Sequence, residues 1–412
     1  MKKLLCLCLL LIPINSFALS ETFQQYLSTR PVALAPTVSD SLLIYQGGVV
    51  KQLLTAAPIT IESNGVSFSN PSITTLEQAR TSIYAANATV KVNNALTEAQ
   101  SNITAPWPAD RALEFVKGGS IANSTAFAFA TGTVVIIPDN LYVFAGSGAV
   151  TGLKESMPEW FGAFADGSIG HEAVNNTAIQ RAVDSISVTG GEVLFRGTYV
   201  KSGTVVVNKS FITLRGFNTG GKSLVYDLSV GQGSKVVQSD ENIAFKTNVP
   251  LGTPSYPGHA YSAITYKDFN IWGPSVSGAA VGISIKDDRW DLLSPNGDAT
   301  DTVLIQNMSI SHIGLCIAAW NCDAPRIIGN WLCESGKAIE LTGGYHGIIS
   351  GNIIADNTGL AKDSFLFGGI HVSLELRALI TNNTTARNIR TIFLNAVTDS
   401  IVSDNIINQD VI

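Results

Sequence analysis

The chain has 412 residues, a formal net charge of −6, 45% hydrophobic residues, only 14% charged residues and 37 glycines. An acidic balance with no basic stripe argues against nucleic acid as a partner, and the length admits two or three domains or one elongated repeat. Recurrent Asn, Ser, Thr, Ile and Val suit β-structure with many tight turns, because β-branched side chains fit a pleated sheet and Asn and Gly tolerate left-handed backbone.

Lys2 and Lys3 precede an apolar run over residues 4–12, and Ser16-Phe17-Ala18 supplies small residues at a cleavage point. This pattern predicts a signal peptide over 1–18 and a secreted, periplasmic or extracellular protein. The run is too short for a permanent membrane helix. No other segment has the apolar length of one, so no stable membrane insertion is expected. Cys316, Cys322 and Cys333 remain after cleavage. An odd number permits at most one intramolecular bridge, and the positions lack zinc-site spacing. They read as core filling or one local bridge.

Residues 19–105 form a Thr/Ser/Ala/Asn-rich N-terminal region, expected to be less ordered than the rest of the chain. Within it, residues 39–52, from Ser39-Asp40 through Gly47-Gly48-Val49-Val50-Lys51, resemble a short module near the start of phage tail-fibre and tailspike proteins. A small hairpin with a Gly-Gly turn is the alternative. Residues 74–104 read as a helix or as an amphipathic linker. From Trp107 the texture changes to short strands separated by Gly, Pro and Asn, giving a small β-rich lead-in over 106–157.

Residues 158–412 carry the clearest pattern. Pro158-Glu159-Trp160-Phe161-Gly162-Ala163 and Asp166-Gly167 lead into Asn176-Thr177-Ala178-Ile179-Gln180. Ala178, Ile179, Ala182, Val183 and Ile186 share one helical face, with Asn176 or Thr177 placed to cap the helix start. Strands are expected over 190–195, 197–199, 205–207 and 212–216. A short amphipathic helix ahead of parallel coils makes a lid over the open apolar end of a solenoid. In this order the segments resemble the entry to the pectate-lyase-like superfamily, which includes rhamnogalacturonase- and epimerase-like proteins and phage tailspikes. One departure is Asn175-Asn176-Thr177, where that group commonly has Asp-Asp-Thr. The resemblance implies a right-handed parallel β-helix holding a polysaccharide along one side, and its tailspike members imply a homotrimer.

Spacing supports the same fold independently. Asn307, Asn330, Asn352, Asn383 and Asn405 are separated by 23, 22, 31 and 22 residues, and Ile283, Ile317, Ile339, Ile370 and Ile392 by 34, 22, 31 and 22. Two registers sharing a period of about 22 residues mean one coil per repeat. The fold class is therefore all-β, a right-handed parallel β-helix with a short N-terminal capping helix. A leucine-rich solenoid would need Leu spacing that is missing. The recurring Asn fits a sharp bend between strands, where left-handed backbone and side-chain stacking are both useful. The two long gaps mark insertions of about nine and about eleven residues on either side of the isoleucine strand, the pattern of a binding face. The chain ends part-way through a coil, which reads as a fragment or as an end covered by a partner chain.

With the isoleucines inward, alternation places Ser284, Ala318, Glu340, His371 and Phe393 outward, then Lys286, Trp320, Thr342, Ser373 and Asn395. Glu340 and His371 are acid–base candidates, and Glu375 or Asp288 a second carboxylate. Trp320, Trp290 and Phe393 offer apolar faces for sugar rings, and Lys286 and Asn395 polar contacts. The bland alternatives are a solvated Glu–His pair and a solvated acidic loop around Asp287, Asp288, Asp298 and Asp301. That loop lacks regular calcium-loop spacing, so no cofactor is expected, with Ca²⁺ the one ion it could take. Glu334, Asp356 and Arg387 read as a structural charge ladder. Together these features point to an exported glycoside hydrolase or polysaccharide lyase. The alternative is a non-catalytic tailspike-like adhesin or cell-surface polysaccharide-binding protein. No motif fixes the reaction.

Overall fold

The computed structural model describes residues 59–63, 66–68, 73–82, 88–138, 141–217, 233–249, 263–287, 300–357 and 368–408. The signal segment 1–18, the tail-fibre-like segment 39–52 and most of both insertions lie outside them. The chain divides into two compact units, residues 1–139 with 146–148, and residues 140–145 with 149–412.

In the first unit, Ile59–Ser63 pairs antiparallel with Val66–Phe68 and with Thr89–Val92, which continues in parallel to Ala112–Phe115 and Val135–Ile136. Trp107, Phe115 and Phe127 are buried in its core. Residues 74–104 resolve into two short helices, Leu76–Thr81 and Glu98–Ser101, with the Thr89–Val92 strand between them.

The second unit is the parallel β-helix. Three long parallel sheets run through it. The first begins at Glu155–Ser156 and ends at Ile401–Ser403, and the second runs from Thr198–Lys201 to Ile406–Asn408. The third contains Ile243–Val249, Val281–Asp287, Leu315–Trp320, Lys337–Tyr345, Ile370–Leu376 and Ile392–Asn395. One inward residue per strand stacks on its counterpart in the next coil. Ile305, Ile327, Ile349 and Ile380 do so in the first sheet, and Ile271, Ile310, Leu332 and Ile354 in the second, all buried. Each strand is only two to nine residues long here, so its backbone bonds are satisfied by the coils on either side rather than by its own length.

The corners separate two roles that spacing alone assigned to one residue. The bend between the first and second sheets is made by a residue with positive φ: Asp268, Asn307, Gly329, Gly351, Asn382 and Asp404 occupy it in successive coils. The side-chain ladder lies one position later, in Asn330, Asn352, Asn383 and Asn405. Asn352 Nδ2 donates to Ile327 O and Asn383 Oδ1, while its Oδ1 accepts from the N and Nδ2 of Asn330. Asn307 is thus a bend residue and not a rung; Met308 fills the rung position, and its N–H donates to Asn330 Oδ1. A second ladder at the next corner joins Ser335, Asn357 and Asn388. The residues just before it, Glu334, Asp356 and Arg387, are positive-φ bend residues. Arg387 grips Asp356 with two bonds of 2.5 and 2.6 Å.

The capping helix spans Glu172–Ser185, with His171 at its N-cap, so Asn176 and Thr177 sit inside it rather than at its start. Ala178, Ile179, Ala182 and Val183 are its buried face. Asn175 is fully buried: its Oδ1 accepts from Phe164 N and its Nδ2 donates to Val200 O. Asn176 Oδ1 accepts from the buried Lys201, whose ammonium also reaches Gly203 O and Gln238 Oε1. The Asn-Asn pair therefore ties helix to first coil. Cys316, Cys322 and Cys333 are buried thiols that form no disulfide with one another, which selects core filling over a local bridge.

Candidate functional site

The third sheet presents the face on which the sequence candidates converge. Its pairing sets Ile283, Ile317, Ile339, Ile370 and Ile392 opposite one another. The neighbouring column is Ser284, Ala318, Glu340, His371 and Phe393. The next pairs Lys286 with Trp320, then Thr342, Ser373 and Asn395. Ser284 and Ala318 are only 2% and 0% exposed, so the open part of the first column is confined to Glu340, His371 and Phe393.

Paired residues in adjacent strands lie about 5 Å apart, so Glu340 and His371 are immediate neighbours in register. Lys337 Nζ lies 3.5 Å from Glu340 Oε2, and the His371 ring lies 5.2 Å from that of Phe393. Partial burial holds the His371 pKa below the usual imidazole value; the Glu340 carboxylate opposes that shift and the Lys337 ammonium adds to it. A neutral imidazole beside a carboxylate is an acid–base pair. Arg390 lies 5.7 Å from the Phe393 ring centroid. In the second column Thr342 and Ser373 share a 3.0 Å hydrogen bond between hydroxyls, next to a half-buried Trp320 and an exposed Asn395.

Glu375 is not on this face. Leu374 has φ of +53° and is exposed, so the alternation slips and Glu375 turns inward to complete burial. Its Oε1 accepts from Gly347 N at 3.2 Å, and its Oε2 is buried with no hydrogen-bond partner among the described residues. A Cβ at Gly344 would lie 2.9 Å from Oε2, so the carboxyl occupies room that a side chain there would need. Burial pushes its pKa up to about 7, the Gly347 N–H opposing and the Asp323 charge adding to the rise. An unfolded Glu ionises near 4.3, so the folded state holds the proton longer and loses stability as pH rises from about 4.5 through 7. The loss sums to about 3 kcal/mol from a shift of that size. Glu375→Gln is expected to flatten this slope, read as urea midpoints at pH 5 and pH 8; parallel pH dependence in both chains would contradict it.

Asp288 and Trp290 lie outside the described residues. Among the described residues, no group of His, Cys, Asp and Glu could hold a metal ion, and no helix is long and apolar enough to cross a membrane. The acidic loop considered for Ca²⁺ also falls largely outside them.

A second polar cluster sits at the downstream end of the same strands, and side-chain type alone did not single it out. His346 Nδ1 lies 3.4 Å from Asp323 Oδ1, and Arg377 Nη1 lies 3.4 Å from His346 Nε2. His346 and Arg377 stand 31 residues apart, the same spacing as the ladder pair Asn352 and Asn383. That shared interval was the available signal. Both are positive-φ residues at the third corner, which directs them away from the core.

No family model matches the chain, and no curated protein does. Among solved structures, DFA-IIIase from Arthrobacter chlorophenolicus A6 in complex with GF2 aligns at 19% identity with a TM-score of 0.47, over 61% of each chain. The same enzyme without its lid aligns at 20% identity and TM-score 0.46, over 61% of this chain and 65% of that one. The enzymatically active domain of Bacteriophage CBA120 tailspike protein 2 gives 14% identity and TM-score 0.28, over 63% of this chain and 43% of that one. The chain thus spans about three fifths of the length of the DFA-IIIase structure with GF2.

Proposed function

We propose that the outward face of the third sheet binds a polysaccharide and that Glu340 and His371 carry out acid–base chemistry on it, making the protein a glycoside hydrolase or a polysaccharide lyase. The observation that carries this reading is the placement of a carboxylate and a neutral-leaning imidazole on adjacent coils, beside Lys337 and Phe393. Glu340 and His371 supply groups that give and take protons. Trp320 and Phe393 supply apolar surfaces, and Thr342 and Asn395 hydrogen-bonding groups for sugar hydroxyls, with the buried Ser373 hydroxyl bonded behind Thr342.

Glu340 and Asp323 do not form a two-carboxylate pair. Asp323 is in register with Tyr345, five residues beyond Glu340 along the strand and one coil away. That is roughly 15 Å, beyond the separation either glycosidase geometry uses. Chemistry at Glu340 therefore rests on the carboxylate–imidazole pair among the described residues. The signal segment motivates the further proposal that the protein works outside the cytoplasm.

Retention of the full chain on immobilised polysaccharides tests the binding half of this reading. Trp320→Ala is expected to weaken retention about tenfold or more, on the scale of one lost stacking surface. Equal retention of both chains would remove the third sheet as the binding face.

A further inference from the structure

The Asp323–His346–Arg377 cluster has no part in the chemistry assigned to Glu340 and His371, and its side chains are open to a ligand. Asp323 is 32% and His346 51% exposed at the side chain, and Arg377 is exposed. Arg377 can only donate and an ionised Asp323 can only accept. The His346 tautomer that matches both partners carries Nδ1–H toward Asp323 and leaves the Nε2 lone pair toward Arg377. At 3.4 Å both contacts are at the long limit of hydrogen bonding. One hydroxyl that accepts from Arg377 and donates to Nε2, and a second that donates to Asp323, would make shorter bonds than these groups make with each other.

The approach to the cluster favours a flat ring. Tyr345 lies beside His346, ring centroids 6.3 Å apart, and is half-buried. Between Thr342 and Tyr345 the strand consists of Gly343 and Gly344, both buried, so its own residues raise no side chain between Thr342 and the cluster. Packing requires glycine at 344, where a Cβ would meet Cys322 O at 2.4 Å.

We propose that Asp323, His346 and Arg377, with Tyr345 beside them, form a second sugar-binding subsite that takes a unit with neighbouring free hydroxyls and binds it without cleaving it. This rests on the glycan-binding reading of the same face. A subsite roughly 15 Å from Glu340 along the strand is reached only by a ligand several sugars long, or by a branch. It is thus a determinant of chain-length preference, and its residues are binding rather than catalytic groups.

The test uses the full chain and a ladder of oligosaccharides made from whichever polysaccharide retains it. Asp323→Ala and Arg377→Ala are expected to raise KM or Kd for the long oligosaccharides about tenfold to a hundredfold, the scale of one charge-assisted hydrogen bond. Short oligosaccharides and kcat should stay within about twofold of wild type on the same reasoning. Urea midpoints of the variants, compared with wild type, show that the corner still folds. Long oligosaccharides that bind both variants as wild type does would overturn the subsite while leaving the third sheet's role intact. If the wild-type chain itself binds no glycan, the functional reading fails and the subsite with it. A fall in kcat with KM unchanged would also overturn the proposal, by making these residues part of the reaction.

Discussion

Glu340→Gln and His371→Ala are each expected to lower turnover of the bound polysaccharide at least about a hundredfold, the usual loss when a positioned acid or base is removed. KM should change far less, because neither substitution removes Trp320, Phe393 or the hydroxyl pair Thr342–Ser373. The folded state should survive both changes. Glu340 is half-buried, and its ion pair with Lys337 is a single 3.5 Å contact. His371 sits on the outer face and not in the isoleucine stack. Initial rates with matched circular-dichroism spectra check this. A variant of either residue that keeps full turnover would remove it from the chemistry.

Asn352→Ala is expected to destabilise the β-helix by roughly 3–5 kcal/mol, because it opens four hydrogen bonds in a buried ladder and strands several backbone and side-chain groups. The bonds at stake are those to Ile327 O and Asn383 Oδ1 and those from Asn330 N and Nδ2. Asn307→Gly is the control. Asn307 is exposed, its amide donates to Asp268 Oδ1, and glycine keeps the positive φ of the bend, so its loss should cost about 1 kcal/mol. Urea midpoints of the two variants compare these costs directly. Equal destabilisation would contradict the one-residue separation of bend from rung.

Much of the fold was legible because a solenoid repeats its constraints. The isoleucine intervals of 34, 22, 31 and 22 residues set which residues lie opposite one another in the third sheet, and the paired strands match them from Ile283 to Ile392. The bend was placed correctly only to within one residue. Asparagine serves both as a left-handed bend residue and as a ladder rung, and Asn382 and Asn383 fill the two positions side by side. Glu375 was misplaced for a related reason. Period-two alternation holds only while every residue stays extended, and the single positive φ at Leu374 reverses it. The helix start was misjudged because Asn176 and Thr177 look like caps, yet both lie inside the helix, where the Asn176 amide accepts from Lys201 and the Thr177 hydroxyl donates back to Ala173 O.

The candidate site was legible as a column and not as chemistry. Spacing brought Glu340 beside His371, but the contact with Lys337 and the downward shift of the imidazole pKa depend on burial that no interval reveals. His346 and Arg377 share the 31-residue interval of the ladder, while Asp323 stands one residue off its 22-residue interval, and three different residue types mask the recurrence that five asparagines advertise.

Cleavage of a glycan on the third sheet can be followed by incubating the purified chain with a panel of polysaccharides and measuring new reducing ends and the ultraviolet absorbance of an unsaturated sugar end. New reducing ends from at least one polymer, lost in Glu340→Gln, are the expected result; accompanying absorbance would identify a lyase, and its absence a hydrolase. Firm retention on a polymer with no new ends from any member of the panel would contradict catalysis and leave the face as an attachment surface.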